Sequence, residues 1–421
     1  MTSAYRILVG LAGLVPALAL GTGQKFKIVD SGRSFDRLIT IWLENQDFAK
    51  VIEEAHFADL KREGISLTKF YAQTHPSQPN YIAAIGGDYF GINHDDHVRI
   101  PENISTVVDL LDTKEITWGG YFEDLPGPGF MGQASEGSTG NGTWDYVRKH
   151  KYVRHMPMGG LRVYERFQQT DMSTSSPFVS YDNIANNGTR LLSIGSFDDF
   201  KRDLAANQVP QFVFMSPNMM NDGHNTTLEY ATSWAHHFIE PLLADGVFRE
   251  RTLIMLTYDE SESYEIPNKI GTLLLGNAVP SALKGSEDDT YYTHYSILST
   301  LQNNWELPCL GRYDVGANVF QHVATSTGFQ NPGDPDNLAG INNNVSYPGA
   351  FHTDPTKRKP IPPPNLKLVG AGGLPVLEQV FNKWRFHEGE LSPYDGSGEA
   401  FDGAAYLPEY FAQEPNVVLP T

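Results

Sequence analysis

Two short apolar runs constrain this chain more than any other feature: residues 38–43 (LITIWL) and 252–258 (TLIMLTY). Neither alternates polar and apolar side chains, so each reads as a strand buried on both faces. Strands of that kind belong to mainly parallel sheets covered by helices on two sides. Residues 66–71 and 211–215 read the same way, and residues 272–275 more weakly. Residues 47–63 read as a helix with a break. Thr226 opens another helix through a capping box with Glu229, ahead of Leu228, Ala231, Ala235, Phe238 and Leu242 on one face. Strands feeding helices in this order predict an α/β fold, a doubly wound and mainly parallel sheet flanked by helices.

The 421 residues, 40% of them hydrophobic, are ample for a large core. Residues 1–23 read as a cleaved signal peptide: Arg6, an apolar run over residues 7–20, then small residues, too short to span about 30 Å of hydrocarbon. Residues 24–325 read as the main α/β domain, with a Gly-rich insertion or lid over 126–160. Residues 326–421, dense in Gly, Pro and Asn, read as an irregular extension packed on that domain. Five N-x-S/T triplets, at Asn103, Asn141, Asn187, Asn225 and Asn344, predict glycosylation of a secreted, extracellular protein. No later stretch reaches membrane-spanning length, and no membrane anchor is expected.

Lys and Arg total 31 against 50 Asp and Glu, a net charge of -19. That balance leaves no basic face for nucleic acid or an anionic membrane. Cys309 is the single cysteine, which excludes an internal disulfide framework and a Cys-rich zinc site. No internal repeat and no Gly-rich phosphate loop is present.

Ligands of open parallel sheets bind beyond the carboxyl ends of the strands. Here the first run ends directly on Glu44 and Asn45, and the TLIMLTY run ends on Asp259 and Glu260. Acidic groups placed side by side repel unless a cation or a proton lies between them, and one divalent metal would answer that need. Ordinary solvated turns are the plain alternative for both pairs. Ser77, in THPSQPNY, reads as a helix cap, and a hydroxyl at a helix N-terminus is also well placed to meet a phosphate dianion. His224, beside Asp222, and His294, at the head of THYSILSTLQ, both fall on this rim. His75, two residues before Ser77, is a third candidate. His236 and His237 read as structural, and His94 and His97 as part of a solvated turn.

The segments ITIWLENQDF, FYAQTHPSQPNYIAAIGGDYFGI, MSPNMMNDGHN, LTYDES and YTHYSILSTLQ resemble, in order, the phosphoesterase family that contains fungal secreted acid phosphatases and bacterial phospholipase C enzymes. The wording is most similar to the fungal phosphate-repressible acid phosphatases, and it spans residues 38–318. The resemblance implies an alkaline-phosphatase-like fold and hydrolysis of small phosphorylated substrates. It implies Glu44, Asn45, Asp259 and Glu260 as ligands of one divalent metal and Ser77 as nucleophile. It also implies His224 and His294 as groups that contact the phosphoryl group or protonate the leaving group, with His75 and Asn80 binding substrate. Two other readings remain open at this point. One is a phospholipase C-type diesterase, for which Trp144 and Tyr146 in the insertion would suit a lipid surface. The other is a non-catalytic secreted glycoprotein.

Overall fold

The computed structural model describes residues 28–132, 134–136, 144–148, 171–174, 176–244, 251–336, 338–339, 342–398 and 410. The expected signal peptide, the Asn141 triplet, much of the 126–160 insertion and most of the chain after 398 lie outside them. In chain order the strands are β1 (Arg37–Leu43), β2 (Ile65–Tyr71), β3 (Trp118–Phe122), β4 (Ala134–Glu136), β5 (Trp144–Arg148), β6 (Asp171–Thr174), β7 (Ile194–Ser196), β8 (Phe212–Ser216), β9 (Thr252–Tyr258), β10 (Thr272–Leu275) and β11 (Ser286–Thr293).

Eight of these form one sheet in the order β11-β2-β10-β9-β1-β8-β3-β7, and β4 and β5 of the expected insertion form a small second sheet with β6, which lies beyond it. Only β10 runs antiparallel to its neighbours in the large sheet. The expected α/β architecture is therefore present, with β1 and β9 at its centre and every residue of both strands buried. Trp42 on β1 stacks on Phe214 of β8, with ring centroids 4.9 Å apart, inside one continuous core. Residues 47–63 form two short helices, Phe48–Val51 and Ala55–Lys61, broken where expected.

Three strands of the large sheet escape the sequence pattern, as do the three of the small one. β3 (WGGYF) carries two glycines, which ordinarily weaken a strand. A Cβ on Gly120 would come within 2.8 Å of the Phe122 ring and 3.0 Å of Phe178, so the missing side chain makes room for those rings. β7 has only three residues. β11 begins SEDD and lies at the sheet edge, where its first half alternates between exposed and half-buried.

The helix assigned to Thr226 starts one residue later. It runs Leu228–Ala244, and the Thr227 hydroxyl accepts the Tyr230 N–H at 3.2 Å. Thr226 instead donates its hydroxyl to the Met220 carbonyl. The C-terminal segment is also more ordered than its composition suggests. It contains the helix Glu378–Trp384, and its backbone pairs with Cys309 through the Leu377 N–H at 2.9 Å. Its Tyr347 and Tyr394 hydroxyls both donate to the fully buried Asp88, which Arg312 faces.

His322 sits in the core at 7% exposure, and neither ring nitrogen has a hydrogen-bond partner. Burial holds its pKa down to about 4. Above about 6.5 the ring is neutral in folded and unfolded chains alike; below that, the unfolded chain takes up a proton that the folded one refuses. Stability is therefore lost as pH falls from about 6.5 towards 4, on the order of 3 kcal/mol from this residue. His322→Leu should flatten that acid limb, read as the difference in denaturation midpoint between pH 7 and pH 4.5. Equal slopes in variant and parent would remove His322 as a source of acid sensitivity.

Candidate active site

Register builds the site. Leu43 on β1 pairs with Tyr258 on β9, so Glu44 and Asp259 leave the sheet side by side. Tyr71 on β2 pairs with Thr293 on β11, which brings the chain entering Ser77 alongside His294. The Asp222 carbonyl accepts the Glu44 N–H at 2.9 Å and draws in the loop that follows β8. All of these points lie at the carboxyl ends of parallel strands.

Ser77 is the first residue of the helix Ser77–Gly86, and Pro76 occupies the cap position. The serine hydroxyl therefore does not cap the helix. It donates to Glu260 Oε1 at 2.8 Å and lies 3.4 Å from both Glu44 Oε2 and Asn45 Oδ1. Asn45 donates its side-chain N–H to Glu260 at 3.0 Å and its backbone N–H to Asp259 Oδ1 at 3.2 Å. Glu44, Asp259 and Glu260 are all 0% exposed, so the solvated-turn alternative fails for these carboxylates.

The remaining candidates separate. His75 is buried, stacked on Tyr264 with ring centroids 3.8 Å apart, and its Nδ1 meets Glu260 Oε2. Burial pulls the pKa of His75 down, and the Asn344 amide on its other nitrogen opposes this. Asn80, expected to bind substrate, is fully buried and committed to its own loop. Its oxygen accepts the Gln73 and Thr74 N–H groups, and its nitrogen donates to the Thr74 and Pro76 carbonyls. All four of its hydrogen-bonding positions are used, which makes it a brace for the turn into Ser77.

His294 is fully buried, and its Nε2 donates to the Asp259 carbonyl at 2.8 Å. Burial holds its pKa down to about 4, and Nδ1 has no hydrogen-bond partner. A ring that is neutral in mild acid is a poor proton donor, which counts against the general-acid role. His224, by contrast, is exposed; its N–H donates to Asp222 Oδ1 at 2.9 Å and its ring meets Asn225 at 3.0 Å.

Sequence reasoning missed Tyr81, whose hydroxyl donates to Glu44. The spacing Ser77 to Tyr81 was the available signal, since residues four apart share a helix face. It also missed the fully buried Asn268, which accepts the Ser261 N–H and donates to the Thr74 and Asn343 carbonyls.

The fit to a divalent cation rests on donor chemistry. Among the described residues no group of three or more His, Cys, Asp or Glu side chains forms an ion site by itself. The set around Ser77, however, draws also on an amide oxygen and a hydroxyl, and oxygen donors of these types suit a hard divalent ion. Around the Ser77 hydroxyl, Glu260 Oε1 at 2.8 Å and Glu44 Oε2 and Asn45 Oδ1 at 3.4 Å supply oxygens of that kind.

The phosphoesterase family profile matches residues 55–308. An acid phosphatase of Aspergillus fumigatus is 41% identical over 357 residues, covering 83% of this chain and 73% of that one. The phosphate-repressible acid phosphatase of Penicillium chrysogenum is 40% identical over 341 residues, covering 81% and 76%. Among solved structures, the phosphonate monoester hydrolase SpPMH from Silicibacter pomeroyi aligns at 10% identity and a TM-score of 0.43, covering 72% and 78%. With a profile spanning more than half of the sequence and relatives near 40% identity, this chain belongs to the phosphoesterase family.

Proposed function

We propose that this protein is a secreted acid phosphatase that hydrolyses phosphate monoesters through Ser77, for phosphate scavenging. The observation that carries this reading is the Ser77 hydroxyl, held 2.8 Å from Glu260 at a helix N-terminus. The fungal relatives support monoester hydrolysis in acid, and the one named phosphate-repressible supports scavenging. The apolar leader and the N-x-S/T triplets support secretion. No helix among the described residues is long and apolar enough to cross a membrane.

Glu44, Asn45, Asp259 and Glu260 would hold one divalent cation, which when bound would neutralise phosphoryl charge and favour the ionised serine. Glu260 receives the Ser77 proton as Oγ attacks phosphorus. The P–O bond to the leaving alcohol breaks, and water then cleaves the phosphoserine to release phosphate. At the start of the Ser77–Gly86 helix Gln78 gives its N–H to Asp95 Oδ1 at 2.9 Å and Pro79 has none, which leaves the Ser77 amide to meet the dianion. His75 and Asn80 act behind Ser77, on the carboxylate and the loop. Of the two rim histidines, His224 is exposed while His294 is buried with its pKa held down, so His224 is the better donor to the departing alkoxide.

His224→Asn should therefore slow an alkyl phosphate more than p-nitrophenyl phosphate, whose phenolate leaves unaided. Equal losses on both would assign His224 to phosphoryl binding instead. The function itself is tested by turnover of p-nitrophenyl phosphate against a choline phosphodiester at acid pH. Preference for the diester would favour a phospholipase C, and no turnover of either a non-catalytic glycoprotein.

A further inference from the structure

Asn344 carries an N-x-S triplet, yet its side chain faces inward. The amide nitrogen donates to the Ile266 carbonyl at 2.8 Å, and the oxygen meets His75 Nε2 at 3.1 Å. A carbonyl can only accept, so the Ile266 bond fixes which end of the amide points at His75. On its other nitrogen His75 meets Glu260, and Glu260 accepts from Ser77. The C-terminal extension thus reaches the serine through two side chains.

The backbone around this relay is fixed by one residue. Asn268 accepts the Ser261 N–H at 2.8 Å and donates to Thr74 and Asn343, each at 3.0 Å. Its own N–H donates to the Asn342 carbonyl at 2.7 Å. It therefore ties together the residues flanking Glu260, His75 and Asn344. Asn343 adds a bond from its amide to the Ala72 carbonyl at 2.8 Å. The other described triplets differ: Asn103, Asn187 and Asn225 are exposed, and the Asn187 oxygen caps a short helix.

We propose that Asn344 is a positioning residue that orients His75, and through it Glu260, against Ser77, and that it is not a glycosylation site. The proposal rests on Ser77 as the nucleophile. A glycan would be attached to the nitrogen that now bonds Ile266, placing a bulky group in the wall beside His75. An extension without side-chain contact at the site would leave the His75 ring fixed only by Tyr264 and Glu260.

The test uses the full chain produced in a secreting host. Peptide mapping should find Asn344 unmodified, and a glycan there overturns the proposal. Asn344→Ala should lower kcat on p-nitrophenyl phosphate about 10-fold with KM little changed, as for other residues that orient a site through a second group. Asn344→Asp keeps an acceptor for His75 but loses the donor to the Ile266 carbonyl, so it should restore only part of the rate lost in Asn344→Ala; thermal denaturation of both variants checks folding. In a His75→Ala background, Asn344→Ala should cost nothing further. Equal losses in the Ala and Asp variants, or multiplying losses with His75→Ala, overturn the relay. Full activity of Ser77→Ala would instead overturn the nucleophile reading, leaving the glycan result to decide the modification.

Discussion

Ser77→Ala is expected to lower turnover of p-nitrophenyl phosphate by about 10³-fold or more, because the deleted oxygen is the one that bonds to phosphorus. Folding should be little affected. Ser77 is buried at 1% exposure, and its hydroxyl bonds to side chains rather than to the helix backbone, so the helix loses no cap. Removing it takes one donor from the buried Glu260, so a small fall in the thermal midpoint is the expected cost. Retention of more than about a tenth of the parent's rate would reject Ser77 as nucleophile. A phosphoserine trapped at low pH in the parent, absent from the variant, adds a readout independent of rate.

The central strands were legible because burial on two faces leaves a compositional mark: TLIMLTY coincides with β9 residue for residue, and LITIWL misses β1 by one. From those strands followed the carboxylates, since the residue after a parallel strand is where the sheet opens. What sequence could not supply was orientation. Asn80 and His75 sit within the same motif as Ser77, yet Asn80 turns back on its own loop and His75 turns to Glu260. His294 was found by position, but only the structure reveals the burial that holds its ring neutral. Asn268 and Asn344 were beyond reach for a different reason. Their partners lie 194 and 269 residues away in the chain, and no local pattern encodes such a pairing.

Glu44→Gln and Asp259→Asn should each remove bound divalent metal and cost about 10²-fold or more in rate, because a neutral amide is a weaker ligand for a hard cation. Both side chains are fully buried and leave adjacent strands in register, so they serve one site rather than two. Their effects should therefore fail to multiply: the double variant should be little worse than either single one. Elemental analysis of purified parent and variants, with activity measured before and after chelation, reads both quantities together. Each substitution also removes a negative charge from a crowded cluster, so the metal-free variants should be at least as stable as the chelated parent. That sign is informative. If the carboxylates served only to anchor Tyr81 and the Asn45 backbone, neutralising them would weaken those bonds and lower stability without touching metal content. Variants with full metal and full rate would place these carboxylates outside the catalytic centre and return Glu44 and Asp259 to a structural role.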